Sequence, residues 1–285
     1  MRQTNNENNM ENIMRIAKSS ILMAFVAMAA AMAILPRPAL ADDPKAREIM
    51  QKVEDRDEGD NATTEMEMTL IDKNGSQRLR KLKTFTKYFG EDRYRLMFFL
   101  HPADVKDTGF LTYDYDDPAK SDDQWLYLPA LRKSKRIATE DKSGSFMGSD
   151  FTYYDMTRPN TVDYDYKLLK EDVVEGNKVW VIEAIPRRQE IIDESGYTKR
   201  VSFVRQDNYF VIRAVNWLKD GGKLRYLEVK DLQQIDGIWT ALEIHMTTKA
   251  GNVMTHKTTL KFNGMKYNQK LDDEMFTVRV LEKGL

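Results

Sequence analysis

The side chains that could do acid–base or nucleophilic chemistry are few and scattered. His101, His245 and His256 are the only imidazoles, and there is no cysteine. No H-E-x-x-H, G-x-S-x-G or glycine-rich phosphate loop occurs. His101 precedes Pro102 at an expected strand end. His245 lies inside the expected strand 238–248, and His256 opens the next one. Isolated histidines on strands are more often surface or core residues than metal ligands. Asp150 and Asp155 could act as a carboxylate pair, but at this spacing carboxylates usually cap a turn or stay solvated. The chain therefore reads as a non-enzyme, with no cofactor and no metal site.

A different chemistry, the shielding of apolar matter, is better represented. Met66, Met68 and Leu70 alternate, as do Trp125 and Tyr127, which places each set on one strand face. The candidate apolar surface comprises Met66, Met68, Met97, Phe99, Trp125 and Tyr127; Phe98 leaves the inward face of the third strand open. Next in the chain is Gly144 to Met156, a stretch of no regular period that carries Phe146, Met147, Phe151 and Met156. Large apolar residues on such a segment need a cavity to enter, and Gly144 and Gly148 would let it move. A core plug and a mobile lid fit this composition equally well. The basic run Arg132, Lys133, Lys135 and Arg136 is either the solvent face of a strand or a contact for lipid phosphate or an acidic partner.

The elements that must position these residues are mostly strands. Asp43 as N-cap and Pro44 at the first helical position open a helix whose Ala46, Ile49, Met50 and Val53 share a face. After it come short alternating segments separated by turns such as Lys73-Asn74-Gly75-Ser76, Glu175-Gly176-Asn177 and Asp236-Gly237. So many consecutive antiparallel strands must bury one sheet face, either as a curled sheet around helices or as a closed barrel. The near balance of 44 basic and 45 acidic residues argues against a nucleic-acid partner.

The run WLYLPALRKSKRI, followed by SFMGSDFTYYDM, resembles the outer-membrane lipoprotein-sorting protein family, which is similar in fold to the periplasmic lipoprotein carrier. The resemblance implies a mainly β, incomplete (half-open) antiparallel barrel of about eleven strands wrapped over a few short helices. It also implies an apolar cavity for acyl chains and, as partner, an exporter of the resistance-nodulation-division type. No catalytic residue is implied.

The N-terminal residues name a compartment. Arg15 and Lys18 precede an uncharged stretch from Ile21 to Leu35, and Ala39-Leu40-Ala41 forms an A-x-A site. These are the parts of a secretory signal peptide, with cleavage expected after Ala41 and residues 42–285 as a single domain. The stretch is shorter than the ~20 residues of a spanning helix. The expectation is a periplasmic, monomeric carrier that shields acyl chains of a lipid or lipoprotein. The alternative is an envelope sensor or exporter accessory protein that binds a partner protein through the same fold.

Overall fold

The computed structural model describes residues 42–284, so the expected signal peptide, residues 1–41, lies outside the described residues. The first element is helix α1 (Pro44–Glu54). The Asp43 carboxylate accepts from the Lys45 and Ala46 amides at 2.9 and 3.3 Å, and Pro44 supplies the first helical turn with a preset φ.

Thirteen strands follow: β1 (Asn61–Asp72), β2 (Gln77–Phe89), β3 (Asp92–His101), β4 (Gly109–Asp114), β5 (Asp123–Leu128), β6 (Lys133–Arg136), β7 (Tyr164–Val174), β8 (Asn177–Pro186), β9 (Tyr197–Arg205), β10 (Val211–Leu218), β11 (Lys223–Ile235), β12 (Ile238–Ala250) and β13 (Val253–Tyr267). Two short helices complete the chain, α2 (Gln189–Ser195) and α3 (Val278–Lys283). All strands join one antiparallel sheet in the order β6-β5-β4-β3-β2-β1-β13-β12-β11-β10-β9-β8-β7. The architecture is the expected half-open barrel, with thirteen strands in place of about eleven.

The order has a direct consequence. Every sheet neighbour is also a sequence neighbour except β1 and β13, whose pairing welds two meanders together. The meanders end at opposite edges, β6 and β7, which are consecutive in the chain. Residues 137–163, which connect them, must therefore cross the open side of the curled sheet.

Directly paired residues share a face, so the register defines that face across the sheet. It runs from Met97 and Phe99 through Leu82 to Met66 and Met68, then to Leu260 and Phe262 on β13 and Ile244 and Met246 on β12. On this inner face the crossover packs against β1–β5, β12 and β13. Helices α1 and α2 pack against β7–β9 on the same face. The outer face of β2–β5 carries Phe85, Leu96, Phe98 and Leu111, and the C-terminal tail covers it with Phe276 and Leu281. Gly109 makes that approach possible: a Cβ there would stand 2.6 Å from Leu281 Cδ1.

Candidate functional site

The inner apolar surface is already occupied, and its occupant comes from the crossover. Residues 145–152 fold back as a narrow hairpin, with the Phe146 amide donating to the Phe151 carbonyl at 2.8 Å and a bridge between Ser145 and Thr152. The tip needs two left-handed residues, Met147 (φ 51°) and Gly148 (φ 77°). Glycine adopts this region freely, while methionine does so at a cost of about 1–2 kcal/mol. The hairpin drives Phe146 into the sheet, where it is 1% exposed and lies 5.0 Å from the Phe110 ring centroid and 6.3 Å from that of Phe99. Phe151 enters the same cluster.

Polar side chains of the sheet hold the crossover at several points. Asp150, 2% exposed, accepts from Thr258 Oγ1 at 2.7 Å, from Thr248 Oγ1 and from His256 Nδ1 at 2.6 Å. Its amide donates back to Thr258 Oγ1 at 2.9 Å. Both threonine hydroxyls are thus turned toward Asp150, and the Asp150–His256 pair serves as a tether. Asp155 accepts from the Tyr197 hydroxyl at 2.8 Å, and Arg225 donates to that hydroxyl at 3.2 Å. Burial, then the Asp155 charge, raises the Tyr197 pKa, so its proton stays in this bond. Arg80 donates to the Met147 carbonyl, and Gln124 Nε2 to that of Tyr153 at 2.8 Å. Lys142, 2% exposed, pairs with Glu194 at 2.6 Å.

Where the crossover runs toward β7, the inner face is charged. Arg93 lies 2.6 Å from Asp114 and 2.8 Å from Glu58, and Arg158 lies 3.3 Å from Asp114. Burial works against the Glu58 carboxylate, but Arg93 and then Arg56 outweigh it and hold its pKa down to about 2. Asp122 is the opposite case: burial, then the charge of Asp114, pushes its pKa up to about 6.

Two cavities of about 190 Å³ each flank this region and share Arg56 and Glu58. Each is below the ~300 Å³ at which ligand pockets usually begin. Among the described residues no group of three or more His, Asp or Glu side chains could hold a metal ion, and no helix is long and apolar enough to cross a membrane.

The structure brings most of the residues singled out from the sequence together. Met66, Met68, Met97, Phe99, Phe146 and Phe151 form one buried cluster, with Met147 and Met156 packed against it. Trp125 and Tyr127 are a correction. They lie on the outer face beneath the C-terminal tail, and Gln124 and Leu126 point inward in their place. Strand β5 carries apolar residues on both faces because both are covered, so alternation alone could not orient it. In the basic run, Arg132, Lys133, Lys135 and Arg136 are exposed at the sheet edge, with Arg136 paired to Asp123 and Lys135 to Asp141 at 3.4 Å. Charged residues on an edge strand discourage pairing with another chain.

The tethers escaped the sequence reading. One signal was available: Thr248 and Thr258 stand at inward register positions beside Met246 and Leu260, and a polar residue there requires a buried partner.

The likeness to known proteins follows the fold. A family model described as an uncharacterized protein matches residues 91–283. A DUF1329 family protein from Desulfovibrio piger is 28% identical, with TM-score 0.77, over 85% of this chain and 99% of that one. A domain assigned to outer membrane lipoprotein sorting, from Vibrio parahaemolyticus, is 32% identical, with TM-score 0.75, over 84% of this chain and 98% of that one. A LolA superfamily protein from Nitrosomonas europaea, 19% identical over 81% of this chain and 97% of that one, shares the fold with TM-score 0.61. No curated protein matches the chain. With a relative 32% identical across nearly its whole length and the same half-open barrel, the chain belongs to the outer-membrane lipoprotein-sorting protein family.

Proposed function

We propose that the protein is an exported, periplasmic carrier that shields the acyl chains of a lipid or lipoprotein on its inner apolar surface, by burial and not by catalysis. The observation that carries this reading is the hairpin 145–152, an irregular cover that inserts Phe146 and Phe151 into the sheet from the open side. An acyl chain would take the place of these two rings. Residues 42–285 act as one domain and one monomer in this scheme, and an exporter of the resistance-nodulation-division type is the proposed source or receiver of cargo.

The magnitudes favour exchange over permanent capture. Burying an acyl chain is worth ~0.8 kcal/mol per methylene, so a sixteen-carbon chain gains at most about 12 kcal/mol. Expelling two phenylalanines into water takes back about 3–6 kcal/mol. What remains supports binding that a partner can reverse. A cover that fills its own site also keeps the empty carrier from presenting a sticky apolar face.

The test is mass spectrometry of lipids that co-purify with the exported chain, with Phe146→Ser/Phe151→Ser beside it. Bound acyl lipid and an altered lipid load in a folded double variant are the expected results. Absence of any acyl species from the native protein would refute the carrier reading.

A further inference from the structure

One cavity of the inner face has two unlike walls. Trp239, Ile244 and Phe262 form an apolar side, and Arg56, Arg93 and Arg95 with the Glu58 carboxylate among them a charged one. Ile244 and Phe262 also pack against the cluster that holds Phe146, so an apolar path leads from the arginines to the seat of the hairpin.

The three arginines are not equally matched. Arg93 has two carboxylates, Asp114 and Glu58. Arg56 shares Glu58 at 3.2 Å, rests on the Phe210 ring at 4.2 Å and keeps a buried Nε without a hydrogen-bond partner. Among the described residues Arg95 has no carboxylate within ion-pair distance. Its one side-chain hydrogen bond is a long donation, 3.4 Å, to the carbonyl of Met156, on the crossover four residues past the hairpin. A guanidinium that is turned inward with no carboxylate in direct contact is costly, and a planar fork of donors is matched by carboxylate or phosphate.

We propose that Arg95 binds the anionic headgroup, carboxylate or phosphate, of the amphiphile whose tail lies on the inner apolar surface. The proposal rests on the carrier reading and adds a ligand class to it. Burial, then the neighbouring Arg93, lowers the Arg95 pKa to about 10, and an anion beside it would reverse that shift. Because the acceptor that Arg95 now uses belongs to the crossover, an arriving headgroup competes with Met156 and loosens the cover as it docks.

Three probes with the same tail test this: palmitate, hexadecyl phosphate and hexadecanol, titrated calorimetrically into the full chain and into Arg95→Gln. At least one anion is expected to bind about tenfold or more tighter than the alcohol, and Arg95→Gln to remove that preference while leaving hexadecanol unchanged. A preference for palmitate alone points to a free fatty acid, and for hexadecyl phosphate alone to a phospholipid-type head. Equal binding of all three by the native chain, or an anion preference that survives in Arg95→Gln, overturns the headgroup site and leaves the carrier reading intact. Binding of none of the three overturns the headgroup site, and together with the absence of co-purifying acyl species it overturns the carrier reading too. Equal binding of the three probes by the native chain overturns the site even if the variant does not fold, and Arg95→Lys, which keeps the charge without the planar fork, then takes the place of Arg95→Gln and should weaken the anion preference.

Discussion

Strands β3–β5 lie between two covers that combine apolar packing and polar tethers in different proportions. On the outer face the C-terminal tail seats Phe276 and Leu281, both buried, against Leu96, Phe98 and Leu111, and α3 is capped by the Thr277 side chain on the Val280 amide at 3.3 Å. Contact there is mostly apolar and close, as the Leu281–Gly109 approach shows, with the Tyr113 hydroxyl donating to the Phe276 carbonyl at 2.7 Å and Lys87 to that of Leu271 at 2.8 Å. On the inner face the crossover has no α-helix at all. Short 3-10 turns and one narrow hairpin carry it, Met147 sits in a left-handed conformation, and buried polar tethers fix its position. Apolar packing is lost gradually and resists opening. The inner cover adds to the burial of Phe146 and Phe151 a few discrete polar contacts, each with a modest net contribution of ~0.5–1.5 kcal/mol, which can be broken one at a time. We propose that the outer cover is fixed structure and the inner one a part that can be exchanged.

The sharpest way to break this contrast is to damage each cover in turn. Phe276→Ala should have the largest effect, a loss of about 3–5 kcal/mol in urea unfolding, because it empties a fully packed outer site. Lipid load per folded molecule should not change. A loss below 1 kcal/mol would mean that the tail is not part of the cooperative fold.

Asp150→Ala comes next. It strands the Thr248, Thr258 and His256 donors and should cost about 2–3 kcal/mol. Hydrogen exchange should quicken selectively at residues 145–152. Uniform acceleration across the sheet would show that Asp150 supports the whole core and not the cover.

Phe146→Ala separates the two models of the hairpin. A releasable cover loses only its local stability, about 2 kcal/mol or less, and lipid affinity rises because less has to be expelled. A full core penalty of ~3–5 kcal/mol with unchanged lipid binding would make the hairpin a fixed plug.

The smallest effect concerns charge near the end of the crossover. Asp122 has a folded pKa of about 6 against an ordinary 3.8, so the folded state holds its proton more tightly. Its contribution to stability is therefore present below about pH 4 and lost as pH rises through 6. Asp122→Asn should stabilise the protein by about 1 kcal/mol at pH 7.5, allowing for the partial exposure of this group, and by nothing measurable at pH 4. Equal melting temperatures of the two proteins at pH 7.5 would refute the account.

Local physics made most of the scaffold legible. The N-cap at Asp43, the alternation at Met66, Met68 and Leu70, and the glycine turns between strands are properties of a few consecutive residues, and each appears in the structure where its pattern lies. The quoted run from Trp125 to Met156 was also enough to point to the family. Three things depended on the closed arrangement of the chain. Strand β5 chose Leu126 over Trp125 for the inner face only because the tail, about 150 residues later, covers the other side. The partners of Asp150 lie 98 to 108 residues away, on strands that the pairing of β1 with β13 joins to the first meander. The path of the crossover follows from which two strands end as edges, a property of the whole sheet. Periodicity reports the faces of one element, whereas the covering of each face and the partner of each buried polar group are set by contacts between segments far apart in the chain.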